Sequence, residues 1–230
     1  SEFVARIASL GPDAIEVWNE PNLAREWPAG AISGENYTRL LRRAYQAIKS
    51  TNPSVLVISA APAPTGAEAF LPGLVVNDDN FLRQMVNAGA LNFADCVGMH
   101  YNEGIVGPYQ TSGDPRGDHY YTRYLPRLLD TYWNIISSQR QICITELGYL
   151  SSEGYGSLPA GFTWAGGNSV AEQAAWLAEA ATYLEQSQRV RMMIVWNVDF
   201  TNYDEDPMAG YAIIRRDGGC PACRALSGAR

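Results

Sequence analysis

The stretch Ile15-Glu16-Val17-Trp18-Asn19-Glu20-Pro21-Asn22 decides how this chain is read. Its first half is an apolar run of strand length. It breaks off at the polar pair Asn19-Glu20, and Pro21 lacks the amide that would continue a ladder. A carboxylate at the exit of a buried strand is held by a rigid element, opens toward solvent and has a pKa that burial can raise. A second segment of the same design lies far downstream, Ile142-Cys143-Ile144-Thr145-Glu146-Leu147-Gly148.

Strand and helix signals alternate around these two segments. Phe3–Leu10 reads as the end of a helix and Ala14–Asn19 as a strand. Ser33 caps a helix whose apolar residues Tyr37, Leu40, Leu41, Ala44, Tyr45 and Ile48 recur at helical spacing. Val55–Ala60 is a β-rich run, Asp78 opens a helix, and Cys96–His100 is the next strand. A helix over Pro126–Ser137 carries its proline in the first turn. Gln141–Thr145 is a strand, Ser169 with Glu172 forms a capping box for a long helix, and Met192–Trp196 is the last strand. The five strands are nearly continuous apolar runs separated by helices, the pattern of an α/β protein with a covered parallel sheet.

Trp18-Asn19-Glu20-Pro21 followed at long range by Ile144-Thr145-Glu146-Leu147-Gly148 resembles the retaining glycoside hydrolases of clan A, the (β/α)8-barrel group of cellulases, mannanases, β-xylosidases and β-galactosidases. The tail Gly210-Tyr211-Ala212-Ile213-Ile214, with Asp217-Gly218 and Pro221-Ala222, is similar to that group's closing segment. The resemblance implies a partial TIM barrel whose five strands correspond to strands four to eight. A complete barrel usually needs roughly 250 residues, so residues 1–230 are expected to be a single catalytic domain lacking the first three βα units.

The resemblance also implies roles. Glu20 is the acid/base and Glu146 the nucleophile of a double displacement, which requires the two carboxyl groups to lie about 5–5.5 Å apart. Glu20 must carry a proton, and burial together with the negative charge of Glu146 is expected to raise its pKa. Asn19 hydrogen-bonds the sugar 2-hydroxyl. His100 ends the sixth strand, and which of His100, Tyr101 and Asn102 reaches Glu146 is left open. Trp196 is the floor under the sugar. Trp27, Tyr149 and Trp164 lie in loops after strands and form further subsites or pack. Chemistry of this kind needs no cofactor and no metal. Glu16, deeper in the same strand as Glu20, is read as a buried, paired structural charge.

Composition is compatible with a neutral carbohydrate substrate and disfavours a nucleic-acid or membrane partner. At 230 residues and 47% hydrophobic the chain fills one sizeable core. A net charge of −7 without a Lys/Arg cluster speaks against nucleic acid, and no apolar run reaches membrane-spanning length. Ser1-Glu2-Phe3 reads as a cloning remnant, which leaves the working compartment open, an extracytoplasmic one included. The four cysteines suggest no disulfide framework: Cys96 and Cys143 read as small buried hydrophobes, and Cys220-x-x-Cys223 as the start of a short helix. Asp204-Glu205-Asp206 reads as a solvated turn, since its spacing fits no calcium loop. Five strands leave two sheet edges uncovered, so the chain is expected either to self-associate through those edges or to remain an open, curved sheet. The alternative function is an inactive carbohydrate-binding fragment. A metal-dependent lyase would need carboxylates at successive strand ends, and the sequence offers only two.

Overall fold

The structure is a computed structural model and describes residues 1–229. Helices and strands alternate in the order α1 (Glu2–Ser9), β1 (Ala14–Val17), α2 (Gly34–Thr51), β2 (Leu56–Ser59), α3 (Asp78–Asn87), β3 (Cys96–Tyr101), α4 (Leu125–Ile135), β4 (Gln141–Leu147), α5 (Val170–Ser187), β5 (Val190–Val195) and α6 (Pro221–Gly228). The strands form one parallel sheet in the order β1-β2-β3-β4-β5. In β1 and β2 the register runs from Ala14 opposite Leu56 to Val17 opposite Ser59.

The local signals that start these helices act as their chemistry dictates. The Ser33 hydroxyl accepts from the Asn36 amide at 3.1 Å, which satisfies an otherwise orphaned donor of α2. Ser169 and Glu172 cap α5 reciprocally. All six residues of β3 are buried, as are Ile142–Thr145 of β4, whereas β5 has no fully buried residue and leaves Ile194 46% exposed. Apolar composition therefore matches burial in the middle of the sheet and not at β5.

The chain divides into two compact units, residues 1–100 with 131–143, and residues 101–130 with those from Ile144 onward. In the first, Tyr37 of α2 is fully buried; its hydroxyl donates to Val17 O at 2.8 Å and accepts from the Ala60 amide at 2.6 Å. One phenol thus ties a helix to the ends of two strands. Asn22 is equally buried and pins two loops, donating to Ala63 O and Val76 O, each at 2.9 Å. In the second unit, buried Gln173 of α5 donates to Tyr149 O at 2.7 Å and Gly210 O at 3.0 Å. No helix among the described residues is long and apolar enough to cross a membrane.

The cysteines depart from the sequence reading. Cys96 and Cys143 are fully buried, but as a disulfide, and Cys220 and Cys223 form a second one. The first closes because β3 and β4 are neighbours in the sheet and bring the two Cα atoms to 5.8 Å, within the range a disulfide spans. The residues are 47 apart in sequence, so nothing local announces the pairing. The second spans the first turn of α6, where Cys220 is also the N-cap and its sulfur accepts from the Cys223 amide.

Candidate active site

In the first unit, β1 stops at Val17 and the backbone turns sharply through Trp18 (φ 79°) and Glu20 (φ 42°). Both are left-handed conformations that cost a side-chain-bearing residue of order 1–3 kcal/mol and recur at functional sites. The turn is held by the Glu20 amide on Ala61 O at 3.2 Å and by the Trp18 indole N–H on Glu26 O at 2.9 Å. Glu20 is 7% exposed. One carboxylate oxygen lies 3.2 Å from Nδ1 of fully buried His100, and the other accepts from the Arg25 guanidinium.

These partners reverse the expected pKa. Burial pushes the Glu20 carboxyl up, but the hydrogen bond and charge of His100, followed by those of Arg25, outweigh it and hold the group below its ordinary value. Glu20 is an ionised, paired carboxylate here. Arg25 carried no recognisable signal in the sequence: it is a loop arginine five residues beyond Glu20.

Around this turn, Trp27 donates its indole N–H to Ala31 O at 3.0 Å and meets the half-exposed Trp18 edge-on at 5.7 Å. Together with Pro28 and Leu40 they line an open groove of about 490 Å³. Asn19 is partly exposed, and its side chain makes no hydrogen bond among the described residues. Glu16 is half-buried, with one oxygen accepting from the Ala61 amide at 3.1 Å, so it braces β1 against the segment after β2.

In the second unit the ends of β3 and β4 carry the other carboxylate. Asn102 Nδ2 donates to Glu146 Oε2 at 2.9 Å, while Asn102 Oδ1 is buried without a hydrogen-bond partner among the described residues. The Asn102 backbone is fixed by the Tyr211 hydroxyl, which donates to its carbonyl at 2.7 Å. Tyr101 turns the other way. It is fully buried, donates to Arg123 O at 3.1 Å and packs edge-on against Tyr149.

Trp196 follows β5. Its amide donates to Leu147 O at 2.9 Å and its ring meets Tyr211 at 5.0 Å. Gly148 makes this approach possible, because a Cβ there would lie 2.2 Å from Trp196 O. Trp164 is half-buried, donates to Gly161 O at 3.0 Å and carries the Arg116 guanidinium over its ring at 4.7 Å. Arg116 in turn is tied to buried Asp114 at 2.6 Å. The run Asp204–Asp206 is an exposed turn closed by the Asp206 amide on the Asp204 carboxylate.

Neither a family model nor a curated protein matches the chain in sequence. Solved structures do match in fold. A family 39 glycoside hydrolase from the gut symbiont Bacteroides cellulosilyticus WH2 aligns at TM-score 0.65 and 18% identity, over 99% of this chain and 43% of that one. The GH53 catalytic domain of Ignisphaera aggregans aligns at 0.60 and 18%, over 99% and 64%. GH10 from Paenibacillus barcinonensis aligns at 0.59 and 15%, over 99% and 65%. The chain therefore spans less than two thirds of each of these neighbours. What it shares with them is architecture: five parallel strands with flanking helices, the arrangement of part of a (β/α)8 barrel.

Proposed function

We propose that this chain carries the machinery for hydrolysis of β-glycosidic bonds in oligo- or polysaccharides by double displacement. Glu146 is the nucleophile and Glu20 the acid/base. The observation that carries the reading is that each glutamate stands at the C-terminal exit of a parallel strand, the end where barrels of this architecture place their chemistry, with its own set of hydrogen-bond donors. The three solved structures named above are glycoside hydrolases by name, in agreement with this class of reaction.

In the first step the Glu146 carboxylate attacks the anomeric carbon while Glu20 gives its proton to the departing oxygen, leaving a glycosyl ester on Glu146. In the second, Glu20 takes a proton from water, the water oxygen attacks the anomeric carbon, and the Glu146 carboxylate is released. Because Arg25 and His100 hold Glu20 ionised, protonation for the first step requires that hold to weaken. Arg25 is 65% exposed and is the partner that an incoming sugar can displace. Asn19, Trp196 and, further out, Trp27 are assigned to sugar contact at the site of cleavage, with His100 positioning Glu20. Two disulfides suit an oxidising, extracytoplasmic compartment.

The test is intact mass and peptide mapping after incubation with a panel of 2-fluoro-sugar mechanism-based labels. A single adduct on Glu146 is expected. No adduct with any sugar would sink catalysis by this chain and point to a fragment that folds without catalysing.

A further inference from the structure

The second unit contains a groove of about 590 Å³ that none of Asn102, Glu146 or Trp196 lines. Its volume lies within the roughly 300–1,000 Å³ of small-molecule sites. One wall is a single face of α5, where Glu172, Trp176 and Glu179 recur at i, i+4 and i+7 and place an indole between two carboxylates. Trp164 and Tyr109 supply two further rings. The opposite wall contains Gly107, where a Cβ would stand 3.5 Å from Trp176 Nε1 and 3.9 Å from Glu179 Oε2. The missing side chain leaves the indole edge and the carboxylate facing open space.

Each lining group is set for a particular use. Trp176 is anchored by its ring on buried Tyr149, with centroids 5.2 Å apart. Trp164 has Arg116 at 4.7 Å over its ring, and Arg116 is already committed to Asp114. The cation stacked on this ring is thus neutralised and occupies an aromatic face that a cationic ligand would want. Glu172 uses Oε2 for the cap of α5, accepting from the Ser169 amide at 2.8 Å and hydroxyl at 2.7 Å. Its other oxygen and the exposed Glu179 remain as acceptors.

Rigid indole faces next to carboxylates, with no cation offered, fit one ligand chemistry well: rings with apolar faces and equatorial hydroxyls. Anionic ligands meet two negative charges and no free positive one. We propose that this groove binds a neutral β-linked oligosaccharide as an ancillary site, separate from the carboxylate at the end of β4, holding a polysaccharide to the protein without taking part in hydrolysis.

Calorimetric titration with the β-1,4-gluco-, β-1,3-gluco- and β-1,4-xylo-hexasaccharides tests this, using the Glu146→Gln protein so that no sugar is turned over. The readout is binding, so the result stands whether or not the unsubstituted chain hydrolyses anything. At least one hexasaccharide is expected to bind saturably, and Trp176→Ala should weaken it at least tenfold. Gly107→Leu, which fills the groove without removing a packed side chain, should do the same while leaving the circular dichroism unchanged. Absence of saturable binding, or affinity within threefold in both variants, would overturn the proposal. Loss of all binding in Trp196→Ala alone would place the sugar at the strand ends and overturn it as well. So would saturation by tetramethylammonium with no response to any of the sugars.

Discussion

Asn102 Nδ2 donates to Glu146 Oε2 at 2.9 Å across the ends of two adjacent strands, and the Tyr211 hydroxyl fixes the Asn102 backbone from behind. An amide donor therefore holds the carboxylate assigned as nucleophile, while Tyr101, next to Asn102 in sequence, is spent on the core. A hydrogen bond to a charged group contributes about 1.5–3 kcal/mol. Asn102→Ala should consequently lower kcat/KM on an aryl glycoside by about 10–100-fold. Tyr101→Phe, by contrast, should affect stability more than rate. A change of less than threefold for Asn102→Ala would show that this bond does not position Glu146 for attack.

Arg25 should set the upper pH limit of activity. Burial raises the Glu20 pKa, and His100 and Arg25 lower it below the ordinary value of 4.5. A carboxyl with a depressed folded pKa adds stability that is present above its unfolded pKa and lost as pH falls through the folded one. Arg25→Met removes part of the lowering, so the Glu20 pKa rises. If Glu20 is the general acid, the alkaline limb of kcat/KM against pH moves upward in this variant, and the stability lost in acid becomes smaller. A limb that stays in place while a carbon-13 titration shows the Glu20 pKa rising would detach Glu20 from the acid role.

The two disulfides should differ in what they contribute. Cys96–Cys143 bridges residues 47 apart and by loop entropy contributes roughly 4 kcal/mol. Cys220–Cys223 bridges residues 3 apart, and the same relation gives about 2 kcal/mol or less. Urea unfolding of Cys96→Ala/Cys143→Ala should show about twice the stability loss of Cys220→Ala/Cys223→Ala. Equal losses would mean that the buried bridge acts through native packing and not through the unfolded chain.

What could be read from the sequence follows how local each signal is. The Ser33 cap, the Ser169/Glu172 box and the start of α3 at Asp78 were legible because each needs only neighbours within a turn. The strand positions are legible because apolar runs of strand length stand out between helices, while the strand ends differ from those runs by a residue or two. The two glutamates stood out because motif and strand end coincide. Arg25 on Glu20, Asn102 on Glu146 and the Cys96–Cys143 bond depend on which loop folds back and which strands become neighbours, information that no single segment carries. The raised pKa expected for Glu20 failed for the same reason. Burial was visible in the sequence, and the two donors that outweigh it were not.

Gly148 offers the sharpest structural test. It directly follows β4, its amide donates to Tyr101 O at 3.0 Å, and its Cα faces the carbonyl of Trp196. A Cβ would lie 2.2 Å from that oxygen and 2.9 Å from the Tyr211 ring. The first of these is backbone and cannot swing aside. Gly148→Ala must therefore push Trp196 away from β4, breaking the Trp196 amide bond to Leu147 O and loosening Tyr211, which in turn fixes Asn102. Overpacking of this kind costs about 1–3 kcal/mol. The expected result is a lower melting temperature together with a loss of sugar-induced quenching of tryptophan fluorescence. A Gly148→Ala protein with unchanged melting temperature and unchanged quenching would show that the end of β5 is free to shift without disturbing the end of β4.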